Sequence, residues 1–264
     1  MKICPRLIQH LALFILSVVL GAVCHAEKLV IGATPVPAGE VLEFIKPQLA
    51  RDGIELEIKI FTDYIQPNVQ LVEHRLDANL FQHRPFLAEF NRQKKTTLVP
   101  LNGILVAPIG AYSTKWKALT TLPEGATIAI PNDPTNSARA LLLLCHAGLI
   151  QLKDPQNVLA TSRDITANPK KLRFRELEAA MLARVLDQVD LAVVNTNYAL
   201  AAKLDPQHDA LLLEDRDSPY VNVLVARPDN RDSPALTKLA AALTTPDVRT
   251  FIETKYHGSV IPAF

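Results

Sequence analysis

Two periodicities alternate along the chain. Short apolar runs rich in β-branched residues, "KLVIGA" (28–33) and "IELEIKIF" (54–61), are each followed by a segment whose apolar residues recur every three or four positions, "GEVLEFIKPQLARDG" (39–53) and "QPNVQLVEHRL" (66–76). Strand followed by helix, repeated, is the pattern of βαβ units on a largely parallel sheet, so the class is α/β. The pattern restarts at "ATIAIPNDPTNSARALLLLCHAGLI" (126–150), a strand, a turn-rich loop and a helix, followed by the strand "LRFREL" (172–177), the helical "EAAMLARVLDQV" (178–189) and the strand "DLAVVN" (190–195). This second start predicts a second lobe.

Two apolar extended runs link the halves: "GILVAPIGAYSTK" (103–115) going out and "SPYVNVLVARP" (218–228) coming back. After the return, "SPALTKLAAALTTPDVRTFIETKY" (233–256) makes one or two C-terminal helices. Two crossings between two α/β lobes predict a hinged protein with a cleft, its first lobe discontinuous (27–109 plus 223–264) and its second continuous (110–222). Nineteen prolines against nine glycines favour stiff loops.

The first residues change the picture. Lys2 and Arg6 precede the apolar "LALFILSVVLGAV", and "CHA" (24–26) ends in a small residue, which is the signature of a signal peptide over residues 1–26. The apolar run falls short of the roughly 18–20 residues a spanning helix needs. Two fates follow: cleavage after Ala26 releases a soluble periplasmic protein, or a lipid on Cys24 anchors it. "GAVC" is a weak lipobox, with glycine where leucine is usual and valine where glycine or alanine is usual.

Loss of the leader takes two of the 28 basic residues and none of the 27 acids, leaving 26 against 27 and a net charge of −1. That balance offers nothing to nucleic acid or an anionic membrane. Cys4 and Cys24 leave with the leader, so Cys145 has no partner for an internal disulfide. Its setting, "LLLLCHAGL", predicts a buried helix position.

Candidate chemistry gathers at strand ends and helix starts, where α/β proteins bind ligands. "PNDPTNSARA" carries Asn132, Asp133, Thr135, Asn136 and Ser137, all capping or turn types, ahead of the helix "RALLLL". Arg139 in a first helical turn is unfavourable beside the dipole by about 0.3–1 kcal/mol. A bound carboxylate gripped by the guanidinium explains the placement; an internally paired or solvated arginine explains it equally. Asn195 ends the strand "DLAVVN" and Asn222 sits among valines in the return crossing, where an unpaired amide costs about 1–3 kcal/mol, so each needs a ligand or local backbone. Tyr64 follows one strand, and Phe81, His83 and Phe86 follow the next, an aromatic corner suited to an apolar or thioether side chain or simply to core packing. His83 lacks the companions that zinc requires, and no G-x-S-x-G turn or cofactor fingerprint occurs. No metal, cofactor or catalytic residue is therefore expected.

The segments "GATPVPAGEVLEFIKP", "FTDYIQPN", "LDANLFQHRPFL", "IPNDPTNSARALLLL", "LRFRELEAA", "VVNTNYAL", "EDRDSPYVN" and "VIPAF" resemble, in order, the NlpA/MetQ family of substrate-binding components of bacterial methionine ABC importers. The resemblance covers residues 28 to 264. It implies a periplasmic-binding-protein (Venus flytrap) fold, a monomer without enzymatic activity, and delivery of one free amino acid, L-methionine, to a membrane permease with a cytoplasmic ATPase. It further implies a side-chain pocket of Tyr64, Phe81, His83 and Phe86, a carboxylate partner in Arg139, and Asn195 and Asn222 for the ligand's ammonium and carboxylate. Phe86 stands where many relatives carry tyrosine, which leaves another apolar amino acid, a methionine derivative or a short peptide as the alternative cargo.

Overall fold

The computed structural model describes residues 26–264. The leader, its Cys24 and its charged start lie outside the described residues. The first run of elements is β1 (Glu27–Ala33), α1 (Glu40–Arg51), β2 (Ile54–Ile60), α2 (Gln66–Val72), β3 (Ala78–His83), α3 (Arg84–Lys94) and β4 (Val99–Val106). The second is β5 (Gly110–Tyr112), β6 (Thr127–Pro131), α4 (Pro134–His146), β7 (Gln151–Leu152), β8 (Ile165–Ala167), β9 (Arg173–Leu177), α5 (Ala179–Leu182), β10 (Leu191–Val194), α6 (Thr196–Ala201) and β11 (Ala210–Leu213). The chain then returns as β12 (Val221–Ala226), α7 (Pro234–Ala242), α8 (Pro246–Tyr256) and β13 (Ile261–Pro262).

These strands make two sheets, each the floor of one lobe. The first has the order β13-β4-β12-β3-β1-β2, with β1 parallel to β2 and β3, and β12 antiparallel to β3 and β4. The second has the order β11-β5-β10-β6-β9, with β6 parallel to β9 and β10, and β5 antiparallel to β10 and β11. The two-lobe α/β fold is thus as the sequence predicts, with β7 and β8 added as a small antiparallel pair.

The outgoing crossing is not one extended strand. β4 ends at Val106 in the first sheet and β5 begins at Gly110 in the second, so only Ala107, Pro108 and Ile109 pass between lobes. Pro108 has no N–H to give a ladder and interrupts the run there. The return strand β12 belongs entirely to the first sheet. The stretch after Glu178 also departs from the periodic reading: helix persists only over Ala179–Leu182, and three-residue turns then carry Val185, Leu186 and Val189 into the core. Cys145, expected to be buried, is half-exposed near the end of α4, where the helix leaves the core.

Helices α1, α7 and α8 cover one face of the first sheet through Leu42, Ile45, Leu49, Leu239 and Ile252, which share one buried cluster with Ile31 of β1. Leu141, Leu144, Ile128 and Val193 make the corresponding core of the second lobe. On β1, a Cβ at Gly32 would stand 2.6 Å from Leu76 Cδ1, so a side chain there would displace Leu76 in the loop before β3. Ile31 is fully buried, and Ile31→Ala should lower stability by about 2–5 kcal/mol. Urea unfolding of the ligand-free protein measures it.

Candidate binding site

Strand ends and helix starts from both lobes meet in the cleft. Phe81 and His83 lie within β3 rather than beyond it, and His83 is both the last residue of that strand and the N-cap of α3. Phe81 and His83 both line the cleft. Asn79 and Gln82 of the same strand close a buried amide cluster with Asn68 of α2, in which Asn68 Nδ2 donates to Gln82 Oε1 at 2.8 Å and Asn79 Nδ2 donates to Asn68 Oδ1 at 2.9 Å.

The hydrogen bonds of His83 dictate those of its neighbours. Its Nδ1 accepts the Phe86 N–H at 3.1 Å, so the ring proton sits on Nε2, which donates to Asn136 Oδ1 at 3.2 Å. With that oxygen fixed, Asn136 Nδ2 must face Asp133, and it donates to both carboxylate oxygens at 3.1 and 3.0 Å. The same Asn136 oxygen accepts Asn195 Nδ2 at 2.8 Å. Asn195 is thereby turned with its own Oδ1 away from Asn136, and that buried oxygen has no hydrogen-bond partner among the described residues. A buried acceptor in this condition costs about 1–3 kcal/mol unless a donor arrives.

Arg139 lies in the second turn of α4, not the first, because the helix begins at Pro134 behind the Asp133 cap. Its awkward placement is answered within the protein. The guanidinium is 3% exposed, its Nε donates to Glu214 Oε1 at 2.8 Å, and its Nη2 donates to Glu214 Oε2 and, at 3.0 Å, to the Ala107 carbonyl. The Tyr220 ring covers it, 4.3 Å from Cζ to centroid. Nη1 has no partner among the described residues. Asn222 on β12 pairs in register with His83 and also lines the cleft.

The aromatic wall is built across the lobes. Tyr64 stands 5.9 Å from Phe81 and 5.9 Å from Phe86, centroid to centroid, and 5.1 Å from Tyr198 at the start of α6. Tyr64 donates its hydroxyl to Asn197 Oδ1, while Tyr198 donates to the Thr62 carbonyl at 3.0 Å. Thr196, beside them, donates to the Pro108 carbonyl in the crossing. Together these walls surround about 520 Å³ of space free of protein atoms, part of it open to solvent.

All seven residues singled out in the sequence, Tyr64, Phe81, His83, Phe86, Arg139, Asn195 and Asn222, line this one cavity. Four others were missed. Asn136 reads as a capping residue, and Asn197 and Tyr198 read as helix; their nearness to Asn195 at a strand end was the available signal. Glu214 carries no local signal, being 75 residues from Arg139. No group of three His, Cys, Asp or Glu side chains among the described residues could hold a metal ion.

Burial, reinforced by the nearby Arg139 guanidinium, pulls the His83 pKa down from 6.5 to about 3. The folded protein therefore keeps a neutral ring where the unfolded chain takes a proton. Stability from this group is complete above pH 6.5 and declines as pH falls toward 3, by up to about 1.4 kcal/mol per pH unit. His83→Gln should flatten that decline, as measured by urea unfolding at pH 7, 5 and 4.

Known proteins bear on this geometry. The model of the NlpA lipoprotein family matches residues 29–264. A probable D-methionine-binding lipoprotein MetQ of Pasteurella multocida (strain Pm70) is 41% identical over 238 residues, 89% of this chain and 86% of that protein. Among solved structures, a nutrient binding protein from Burkholderia cenocepacia bound to methionine superposes with a TM-score of 0.86 at 43% identity, covering 89% of this chain and all of that one. A periplasmic substrate-binding protein of an ABC transporter from Coxiella burnetii gives 0.85 at 44% identity with the same coverage.

Proposed function

The chain belongs to the NlpA lipoprotein family, and from that premise we propose that it is the substrate-binding protein of an ABC importer whose cargo is free methionine. The observation that carries the reading is one cleft in which a buried acceptor without a partner among the described residues, Asn195 Oδ1, shares the wall with the Arg139 guanidinium beside an aromatic box. A zwitterionic amino acid supplies the complement of both. Its ammonium donates to Asn195 Oδ1, its carboxylate accepts from Arg139 Nη1, and Asn222 completes the shell. The thioether side chain lies among Tyr64, Phe81 and Phe86, where sulfur against ring edges gains roughly 0.3–1.5 kcal/mol. His83 lines the box as a neutral ring, both nitrogens already engaged, and does not catalyse.

The two lobes, residues 27–109 with 221–264 and residues 110–220, the return boundary falling before β12 rather than within it, close on the ligand as a monomer and present that closed form to a permease with its cytoplasmic ATPase. The ligand favours closure by the contacts it makes only when both lobes surround it. Residues 1–26 direct export to the periplasm. Mass spectrometry of the mature N-terminus distinguishes Glu27, a released protein, from a lipid-modified Cys24, an anchored one.

Calorimetry on protein refolded free of carried-over ligand tests the cargo. Methionine should bind and release heat, and no heat with either enantiomer would overturn the reading. Asn195→Ala should weaken methionine about 10- to 100-fold, the value of a hydrogen bond to a charged group. Phe81→Ala should cost methionine more affinity than alanine.

A further inference from the structure

Arg139 brings a positive charge into the cleft wall, and its counter-ion comes from the end of β11, beside the crossing between the lobes. Glu214, directly after β11, is 14% exposed and is itself anchored: its N–H donates to the Ile109 carbonyl at 2.9 Å, and its Oε2 accepts the Ile109 N–H at 3.4 Å. Of the five guanidinium N–H groups, Glu214 takes the Nε edge and one on Nη2, and Ala107 takes the other on Nη2. The two on Nη1 take part in none of these bonds.

The remaining titratable groups near the cavity do not alter that balance. His83 is neutral, and Asp133 sits behind Asn136, held by donors from Thr135 Oγ1, the Asn136 N–H and Asn136 Nδ2. Tyr64, Tyr198 and Tyr220 keep their hydroxyl protons, since burial raises each. With a carboxylate paired to the guanidinium, the cavity wall carries less net positive charge than an unpaired arginine would give it. A zwitterion, neutral as a whole, matches such a wall. An amino acid blocked at nitrogen keeps only its negative end and gains no net attraction to offset its loss of water.

We propose that Glu214 is a specificity-determining residue: by offsetting the charge of Arg139 and occupying its Nε edge, it makes the cavity select zwitterionic amino acids over N-blocked, anionic ones. The proposal rests on Arg139 as the carboxylate partner in the function proposed above. Glu214 does not touch the ligand; it acts through Arg139. A merely structural Glu214 would affect both ligand classes alike, whereas a charge-setting one changes their ratio.

The experiment measures methionine and N-acetylmethionine by calorimetry on the full mature chain and on its Glu214→Gln and Glu214→Asp variants. In Glu214→Gln, which keeps shape and one acceptor oxygen while losing the charge, the ratio of the two affinities should move toward N-acetylmethionine by about tenfold or more. Glu214→Asp, still charged, should hold the ratio of the unsubstituted chain. Equal weakening of both ligands in Glu214→Gln, or the same ratio change in Glu214→Asp, overturns the proposal. If Glu214→Gln is too unstable for calorimetry, thermal unfolding decides: N-acetylmethionine should raise its midpoint more than methionine does, and the reverse order is contrary. Absence of methionine binding by the unsubstituted chain is a separate failure, that of the cargo reading, and takes this proposal with it.

Discussion

The Asn136 carboxamide joins the two lobes at the centre of the cleft, its oxygen accepting from His83 on β3 and from Asn195 ahead of α6 while its nitrogen donates to Asp133. Each orientation in that chain follows from the one before. The N–H of Phe86 claims His83 Nδ1, which settles the imidazole tautomer, then the Asn136 amide, then Asn195. The outcome is an acceptor held in place once the lobes are closed. Pre-organisation of this kind lets a buried polar group recognise an ammonium ion without reorganising to do so.

The fold supplies this arrangement by bringing four chain segments to one place. β3 ends in His83 and α3 begins there; β6 ends just before the Asp133 cap of α4; β10 ends just before Asn195; β12 lays Asn222 beside His83. Each is the junction of a buried strand with a loop or helix, where backbone is anchored on one side and side chains are free to face the cleft. The crossing at Ala107, Pro108 and Ile109 does double service, since its carbonyls accept from Arg139, Thr196 and Glu214. Links between Tyr64 and Asn197 and between Tyr198 and Thr62 then tie the lobes over the mouth.

Much of this was legible in the sequence because its signals are local. Alternating runs of period two and period 3.6 mark the strands and helices, and polar residues at their junctions, Asn195 after "DLAVV" and His83 before Pro85, mark the cleft. Non-local facts were hidden. Nothing in "LLLED" says that Glu214 closes on an arginine 75 residues earlier, and the periodicity of "RALLLL" places the start of α4 too late because Pro134 and the Asp133 cap begin it a turn sooner. The stretch "EAAMLARVLDQV" has a helical spacing, yet packing of Val185, Leu186 and Val189 against the second lobe overrides it after Leu182. Propensity is a weak prior wherever tertiary contact decides.

The central claim is that the two ends of an amino acid are read by two differently prepared groups, an acceptor at Asn195 and a donor at Arg139. A crystal structure of the protein with L-methionine tests it most directly. The ammonium should lie within hydrogen-bonding distance of Asn195 Oδ1, the carboxylate on Arg139 Nη1 with the Arg139 to Glu214 pair intact, and the thioether among Tyr64, Phe81 and Phe86. A ligand bound in the reverse sense, or an Arg139 that leaves Glu214 to grip the carboxylate with its Nε edge, would contradict it.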